Sequence, residues 1–353
     1  MKTILVTGVA GFIGSNFVYH YLSNHADHCI IGLDKLTYAG NIENLSNLND
    51  EYKQRFEFVR GDINDRNLVL DIFKTNSIDG IINFGAESHV DRSIHDPQIF
   101  LKTNILGTQV LLDIAKENWL INGNWKSEVK FLQVSTDEVY GSLGETGYFV
   151  ESSQLDPHSP YSASKASADL FVKAYHDTFG MPINITRCSN NYGPYQFPEK
   201  LIPLIIYNAT NHKSIPVYGD GKQVRDWLYV IDHCKAIDVV FNKATSGEIY
   251  NIGGHNEKEN IEIVEHILDY LSEKLNDPGI NTSLIKHVKD RLGHDRRYGI
   301  DASKIMNDLN WEPTIMFDEG INLTIDWYLN NTSWINHVIS GEYQAFYDLN
   351  YSI

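Results

Sequence analysis

Cysteine is scarce in this chain: only Cys29, Cys188 and Cys234 occur among its 353 residues. They lie far apart and form no CxxC pair, which argues against a disulfide framework and against a structural zinc site. His25 and His28 are close in sequence but have no convincing third ligand, so we expect no bound metal. The cysteines are predicted to be free thiols in a reducing compartment.

Basic residues and long apolar runs are also few. The chain has 29 Lys and Arg against 46 Asp and Glu, a formal net charge of −17. Nucleic-acid binding depends on basic side chains that neutralise phosphates, so we expect no nucleic-acid partner. No stretch approaches the roughly 18 apolar residues of a membrane span. The opening "MKTILVTGVAGFIGS" has the charge and apolar run of a signal peptide, but glycines interrupt it. We therefore expect a cytoplasmic protein without a membrane partner.

Up to about residue 190, short β-rich runs alternate with segments of helical spacing. The segments of helical spacing cover residues 12–24, 67–75, 97–118 and 159–180. Strands that alternate with helices predict a parallel sheet, and hence a doubly wound α/β fold of the Rossmann type.

Beyond residue 190 the composition changes to loops rich in Gly, Pro and aromatic residues, followed by renewed helical spacing. A chain of this length is expected to form one large or two closely associated domains. We predict a first domain over 1–190, to which 226–254 returns, and a smaller mixed lobe over 191–225 and 255–353.

Three glycines follow the first predicted strand and precede a helix: Gly8, Gly11 and Gly14 in "TILVTGVAGFIGSNF". Such a turn lets the backbone approach a pyrophosphate, and the helix N-terminus offers free N–H groups. The second strand ends at Asp34, twenty positions after Gly14, where a carboxylate can accept hydrogen bonds from a ribose diol. An ordinary glycine turn is the alternative, but the position of Asp34 favours a dinucleotide site.

The same segments bear on which dinucleotide binds. The Asp34 carboxylate would repel a 2′-phosphate, which favours NAD over NADP, although Lys35 follows directly and keeps NADP open. "GDIND" after the third strand offers Asp62 and Ile63 as contacts on the adenine side.

Tyr161 and Lys165 lie four positions apart at the start of a predicted helix, in "SPYSASKASAD". Positions i and i+4 share one helix face, so both side chains can reach one site. A lysine ammonium beside a phenol favours the phenolate and lowers its pKa from about 10. The pair predicts a base that removes a proton from an alcohol while hydride leaves for a nicotinamide. The alternative is an exposed helix face, on which this spacing is common.

The chain resembles the extended short-chain dehydrogenase/reductase family, and in particular its nucleotide-sugar dehydratases. The resemblance covers nearly the whole chain. It is carried by "TGVAGFIGSNF", "LDKLTYAGNIENL", "GDIND", "GAESHVDRSI", "NILGT", "VSTDEVYG", "SPYSASKASAD", "TRCSNNYGPYQFPEKLIP", "VYGDGKQVRDWLYVIDHCKAI" and "GHDRRYGID". Sugar-nucleotide epimerases share the glycines and the Tyr/Lys pair but generally lack the consecutive Asp137 and Glu138.

The resemblance implies a hydro-lyase that uses NAD to convert dTDP-glucose to a 4-keto-6-deoxy sugar nucleotide. Tyr161 would take the proton of the C4 hydroxyl as hydride moves to NAD, with Thr136 hydrogen-bonded to both hydroxyls and Lys165 beside them. Glu138 would remove the C5 proton, and Asp137 would protonate the C6 hydroxyl so that water leaves. Hydride would then return to C6.

This chemistry sets expectations for the two carboxyl groups. An elimination needs an acid and a base with separated pKa values in one site. Asp137 must hold a proton, so burial and its carboxylate neighbour should raise its pKa. Consecutive strand residues point to opposite faces, so the backbone must turn, and we expect a loop at Asp137 and Glu138. The alternative for an isolated Asp-Glu pair is a solvated turn.

The resemblance also implies two sets of binding residues. The cofactor set is Gly8, Gly11, Phe12, Ile13, Gly14, Asp34, Lys35, Leu36, Thr37, Asp62, Ile63, Phe84, Ala86, Ser88, Thr103, Tyr161, Lys165 and Asn191. The substrate set is Ser88, His89, Thr136, Asn190, Lys200, Leu201, Pro216, Tyr218, Arg225, Asn260, Arg291, His294 and Tyr298. Within it, Arg225 and Arg291 are expected to clamp the diphosphate, since planar guanidinium groups suit phosphate oxygens. Taken singly, each arginine is as readily explained as a surface residue.

The family commonly forms homodimers through four helices, which here implies the segments 97–118 and 159–180. Their apolar faces could instead pack on the sheet alone. Two other functions remain open: a 4-epimerase or a dehydratase for another nucleotide such as UDP-glucose, and an NAD-sensing protein without catalysis.

Overall fold

A computed structural model describes residues 2–290 and 293–339. The strands of this part are β1 Lys2–Thr7, β2 His28–Asp34, β3 Phe56–Arg60, β4 Gly80–Asn83, β5 Leu120–Ile121, β6 Asn124–Trp125, β7 Lys130–Thr136, β8 Ile183–Cys188, β9 Asn190–Tyr192, β10 Ile215–Tyr218, β11 Val224–Tyr229, β12 Ile249–Ile252, β13 Glu257–Glu259 and β14 Ile285–Val288. Its α-helices are α1 Phe12–Asn24, α2 Asp50–Lys53, α3 Arg66–Thr75, α4 Val90–His95, α5 Pro97–Phe100, α6 Thr108–Trp119, α7 Pro160–Phe179, α8 Leu201–Thr210, α9 Val230–Lys243, α10 Asn260–Leu275, α11 Ser303–Leu309, α12 Phe317–Asn330 and α13 Thr332–Val338.

The central sheet has seven strands in the order β12-β8-β7-β4-β1-β2-β3. Each pair of neighbours is parallel. The strand order reverses between β1 and β4, where open α/β sheets bind ligands beyond the carboxyl ends of their strands. The predicted Rossmann-type α/β fold is confirmed.

The burial of β1 shows how the sheet is covered on both faces. Ile4 and Val6 pack into one core layer with residues of α1 and α9. Leu5, whose side chain points the opposite way, packs into a second layer with residues of α3, α6 and α7. A parallel sheet between two helical layers explains why its strands are nearly continuous apolar runs.

Of two long predicted helices, one is continuous in the structure and the other is interrupted. The segment 159–180 forms α7, whose N-terminus is closed by a capping box at Ser159 and whose end is set by Gly180 in the left-handed conformation. The segment 97–118 is not one α-helix, because a π-helical stretch over Leu101–Gly107 separates α5 from α6. Apolar spacing alone does not distinguish these two helix types, since both keep one face toward the core.

A smaller lobe lies after β8 along the chain. Its strands form a three-stranded sheet, β13-β11-β9, and a parallel pair, β10-β14. Its core is a separate cluster that includes Ile202, Ile263 and Phe317 from α8, α10 and α12. β12 lies at the edge of the central sheet, and Ile305 and Trp311 pack into the central core with α9.

Candidate active site

A cleft of about 320 Å³ opens beyond the carboxyl ends of β1, β2, β4, β7 and β8. A second cavity of about 180 Å³ adjoins it and is formed with the smaller lobe. Both are lined by Ser88, Glu138, Asn190, Glu199 and Lys200, so the two spaces meet at these side chains.

The glycine turn forms one wall of the cleft. Gly8 has φ +67, and a Cβ there would lie 2.8 Å from the backbone nitrogen of Gly85. A Cβ on Gly14 would collide with the carbonyl oxygen of Gly8. The N-terminus of α1 has no side-chain cap at Gly11. The turn therefore requires glycine for its own packing and leaves helix N–H groups for an anionic ligand.

Asp34 is buried at the end of β2 and is held by backbone amides. Oδ2 accepts from the N–H of Ala10 at 2.9 Å, and Oδ1 accepts from the N–H of Leu36 at 2.8 Å. Burial raises the pKa of its carboxyl group, and these two hydrogen bonds oppose the shift. Each oxygen keeps a second lone pair, so the carboxylate can still accept from a ribose diol.

The Lys35 ammonium forms an ion pair with Oδ2 of Asp62 at 2.8 Å. Burial would raise the pKa of the Asp62 carboxyl group, but the hydrogen bond with Lys35 and those with Asn64 lower it. The predicted cofactor residues line the cleft with one exception, Leu36. Leu36 has φ +57 and contributes its N–H to Asp34.

The backbone turns directly after Thr136, where β7 ends. Asp137 to Tyr140 form a 3-10 helix, with the Thr136 side chain as its cap. The predicted turn is present, but it is a regular 3-10 helix and not a loop. Asp137 and Glu138 consequently both line the cleft, although they are consecutive in sequence.

Asp137 and Glu138 lie in different surroundings. Asp137 is 2% exposed, and its Oδ2 has no hydrogen-bond partner among the described residues. Burial and the Glu138 carboxylate raise the pKa of Asp137 well above its usual range. Glu138 is less buried and lines both cavities. Burial thus favours the protonated form of Asp137, the direction expected for a general acid.

Tyr161 and Lys165 lie on the first turns of α7 and both line the cleft. Lys165 donates to the carbonyl oxygen of Val134 at 2.7 Å. Burial and Glu138 raise the pKa of Tyr161, and the neighbouring Thr136 hydroxyl opposes this shift. The expected lowering by Lys165 is therefore wrong for the protein alone, because the amine is directed to a backbone carbonyl and the phenol is buried.

The second cavity gathers the predicted substrate residues. It is lined by Ser88, His89, Asn190, Lys200, Leu201, Pro216, Tyr218, Arg225, Asn260, His294 and Tyr298. Thr136 lines the cleft instead, and Arg291 lies outside the described residues.

Two backbone carbonyl groups and an aromatic ring hold the Arg225 guanidinium group in this cavity. Its guanidinium donates to the carbonyl oxygens of Val224 at 2.8 Å and Asp295 at 2.9 Å, and it lies 4.2 Å from the Tyr298 ring centroid. His294 approaches Asp290 at 2.6 Å between Nδ1 and Oδ1. The contacts of Arg225 orient its guanidinium group, which the sequence analysis expects to bind the diphosphate.

Sequence reasoning missed a buried group where the two cavities meet. The Glu199 carboxylate pairs with Nε of Arg92 at 3.3 Å, and the Arg92 guanidinium lies 3.6 Å from the Tyr38 ring centroid. Burial raises the pKa of Glu199. The three residues are far apart in sequence, so only the position of Glu199 beside the predicted Lys200 could have drawn attention to it.

Residues 2–290 and 293–339 contain neither a candidate metal cluster nor a candidate membrane-spanning helix. No group of three or more His, Cys, Asp or Glu is arranged to hold a metal ion there. None of the helices in these ranges has the length and apolar character to cross a membrane.

Comparison with known proteins agrees with this geometry. A family model described as GDP-mannose 4,6-dehydratase matches residues 5–324. The chain is 51% identical over 347 residues, 98% of each chain, to a dTDP-glucose 4,6-dehydratase of Xanthomonas campestris pv. campestris. Among solved structures it is similar to the dTDP-glucose 4,6-dehydratase of Bacillus anthracis in complex with NAD, with 46% identity and a TM-score of 0.85. The same enzyme of Streptomyces venezuelae, with NAD bound, gives 44% identity and a TM-score of 0.87. Both structures cover 96% of this chain and are themselves covered completely.

Proposed function

This chain belongs to the family described as GDP-mannose 4,6-dehydratase, and from that premise we propose that it converts dTDP-glucose to dTDP-4-keto-6-deoxyglucose and water. It is an NAD-dependent hydro-lyase, because a relative named dTDP-glucose 4,6-dehydratase matches 98% of the chain and solved structures of such enzymes contain NAD. The observation that carries the proposal is the pair Asp137 and Glu138 on one 3-10 turn, where both line the cleft and Glu138 also lines the second cavity.

The cleft suits NAD. Gly8 and Gly14 leave room for a pyrophosphate at the start of α1, and Asp34 is placed for a ribose diol. Bound NAD would supply the site with a hydride acceptor for C4 and a hydride donor for C6, and the positive charge of its oxidised ring would favour the Tyr161 phenolate. Binding would involve the cofactor residues named above, with Leu36 acting through Asp34.

The chain's own residues handle the protons. Tyr161, which lines the cleft together with Thr136, takes the proton of the C4 hydroxyl. Glu138 takes the C5 proton, which the neighbouring 4-keto group acidifies. Asp137, protonated because it is buried beside Glu138, gives its proton to the C6 hydroxyl, and water leaves. Glu138 then returns a proton to C5.

The second cavity holds the nucleotide part of the substrate. Arg225 faces the diphosphate, with Lys200 at the junction toward the sugar. Pro216, Leu201 and the neighbouring Val264 give the cavity an apolar wall suited to a base. We also propose that the chain divides into two domains. The cofactor domain comprises residues 1–190 with 226–254, and the substrate lobe comprises residues 191–225 and 255–353.

The activity is tested with purified protein incubated separately with dTDP-glucose and UDP-glucose, followed by mass measurement of each product. Loss of one water from dTDP-glucose supports the proposal, and alkali should then develop the absorbance of a 4-keto-6-deoxy sugar. A product of unchanged mass would identify a 4-epimerase. Faster water loss from UDP-glucose would identify a dehydratase for the other nucleotide, and the lack of any product would favour an NAD-sensing protein.

We also propose a homodimer in the cytoplasm. Large apolar side chains are exposed on α5, the π-helical stretch and α7, which pack against one another: Ile99, Leu101, Leu106, Leu170 and Phe171. An apolar surface of this kind is typical of a subunit interface. The free thiols of Cys29, Cys188 and Cys234 support a reducing compartment.

A further inference from the structure

His158 is a partly exposed histidine at the border of the second cavity. It directly precedes Ser159, which caps α7 and lines that cavity, and its imidazole ring is 41% exposed. Its Nδ1 lies 2.6 Å from Oδ1 of Asp295, a buried residue that also lines the cavity. His158 therefore connects the solvent with a carboxylate of the proposed nucleotide site.

The Asp295 carboxylate contacts two side chains at once. Oδ1 pairs with His158, and Oδ2 accepts a hydrogen bond from the Tyr298 hydroxyl at 2.6 Å. The carbonyl oxygen of Asp295 accepts from the Arg225 guanidinium at 2.9 Å. That guanidinium also lies 4.2 Å from the Tyr298 ring centroid. Asp295, Tyr298 and Arg225 thus form one connected group in the cavity, and His158 contacts this group from outside.

The charge of Asp295 opposes the ligand that the cavity is proposed to bind. A diphosphate is anionic, and a carboxylate in the same partly enclosed space repels it. A His158 imidazolium neutralises this carboxylate, so the positive charge of Arg225 remains for the phosphate oxygens.

We propose that His158 is a positioning residue for the nucleotide diphosphate, which binds more tightly while His158 is protonated. The imidazolium makes a charge-assisted hydrogen bond to Asp295, which stabilises the contacts of that residue with Tyr298 and Arg225. A neutral imidazole keeps a hydrogen bond but not the charge. The inference rests on the proposed function, since it takes the second cavity as the nucleotide site, and it adds a pH dependence to substrate binding.

Two carboxylates face His158. Asp295 follows β14 along the chain, and Asp156 belongs to the segment before α7, with its Oδ2 3.6 Å from Nε2 of His158. Asp156 is 79% exposed, so water screens its charge, whereas Asp295 is 8% exposed. The hydrogen bond with Asp295 raises the pKa of His158 above its ordinary value, burial opposes this shift, and the charges of both carboxylates add to it.

This raised pKa sets the direction of the pH dependence. His158 stays protonated above the ordinary histidine value of about 6.5, so its contribution to affinity is complete below that value. The contribution is lost as pH rises through the raised pKa.

Other charged groups of the cavity are bound differently. Lys200 donates to the carbonyl oxygen of Ser88 at 3.0 Å, and Nδ1 of His294 lies 2.6 Å from Oδ1 of Asp290. Glu138 lines the cavity from the 3-10 turn. Their titration is common to the wild type and to a His158 variant, so a comparison of the two proteins isolates His158.

The test measures dTDP binding to the NAD-loaded protein by calorimetry at about pH 5.5 and about pH 9. His158→Gln keeps a hydrogen-bond donor but cannot carry the charge. The variant should bind dTDP about two- to five-fold more weakly than the wild type at the acidic pH, the range of one partly exposed ion pair, and equally at the alkaline pH. Ionisation of dTDP itself cancels in this ratio. His212→Gln is the matched control, since His212 pairs with Asp277 at 3.2 Å and is itself exposed, and it should bind dTDP like the wild type at both pH values.

Asp295→Asn tests the route of the effect. In that background the carboxylate is absent, so His158→Gln should change dTDP affinity equally at both pH values. A pH-dependent difference that persists would show that His158 acts by its charge alone and would overturn its role through Asp295.

A ratio between His158→Gln and wild type that does not change with pH would overturn the inference. A wild type that binds no dTDP would overturn it too, and water loss from dTDP-glucose in the same preparation would then show that the proposed function stands. If the wild type binds dTDP with the expected ratio but removes no water from dTDP-glucose, the proposed function has failed and the inference about nucleotide binding holds.

Discussion

Asp137 and Glu138 are consecutive residues of one 3-10 turn, yet only Glu138 reaches both cavities, while Asp137 is 2% exposed. Their surroundings therefore suit the two carboxyl groups to different proposed roles. Burial favours the neutral form of Asp137, the proposed acid, whereas Glu138, the proposed base, lies at the junction of the cavities. Dehydration requires this separation, whereas epimerisation through a keto intermediate requires neither group.

Glu138→Gln should stop water loss while C4 oxidation continues slowly. Glutamine keeps the size of the side chain but cannot accept the C5 proton, so the dehydration rate should fall by about 10²- to 10⁴-fold. Stopped-flow absorbance of reduced cofactor reports the oxidation, and mass measurement reports the product. If the variant dehydrates dTDP-glucose at the normal rate, Glu138 is not the base.

Asp137→Asn should make the folded protein more stable at neutral pH while it loses activity. The pKa of Asp137 is raised in the folded state, so between its ordinary value and the raised one the folded state binds a proton that the unfolded chain has released. Stability of the wild type therefore falls as pH rises through this window, by about 1.4 kcal/mol per pH unit at most. Asparagine removes this penalty.

Urea unfolding of both proteins between about pH 4 and pH 7 measures this effect. The stability gap should be smallest at the acidic end and widen as pH rises. Asp71→Asn is the matched control, since Asp71 is an exposed partner of Lys74. A constant gap across this range would show that Asp137 is ionised in the folded protein.

The residues of the cleft show which features of the site the sequence can predict. The glycine spacing, Asp34 and the Tyr161–Lys165 spacing are local patterns, and the structure brings all of them to one cleft. The contact of Glu199 with Arg92 joins positions 107 residues apart, and the direction of the Lys165 amine depends on β7. Such features arise from tertiary packing, which leaves no periodic signal in the sequence.

Gly14→Ala should reduce the NAD content of the purified protein. The added Cβ would collide with the carbonyl oxygen of Gly8, and the turn would have to move away from the start of α1. A shift of about 1.4 kcal/mol or more in binding free energy would lower NAD affinity about 10-fold or more. Gly144→Ala is the control, because a Cβ there meets nothing within 4 Å. Equal NAD content in the two variants would contradict a pyrophosphate site at this turn.

Arg187→Met should destabilise the fold strongly. Its guanidinium pairs with Asp169 at 2.9 Å in the core and also donates to the Tyr140 hydroxyl at 3.0 Å. Removal of one partner leaves a buried carboxylate unpaired, which typically costs about 3–5 kcal/mol. Arg66→Met, which breaks an exposed pair with Glu117, should cost about 0–1 kcal/mol in the same denaturation assay. Similar losses for both variants would show that the Arg187 pair is not structural.

Leu170→Glu should convert a dimer to single chains. Leu170 is 57% exposed on α7, within the apolar surface proposed as the subunit interface. In a two-fold symmetric dimer the same patch occurs on both subunits, so one substitution buries two carboxylates against apolar neighbours. Light scattering after size exclusion should give twice 40.2 kDa for the wild type and a single chain for the variant. Leu275→Glu, on α10 and 43% exposed, should leave the mass unchanged. A wild type that elutes as one chain would exclude the dimer. A Leu170→Glu variant that keeps the doubled mass would place the interface elsewhere, because two facing glutamates in an apolar contact cannot stay charged without loss of association.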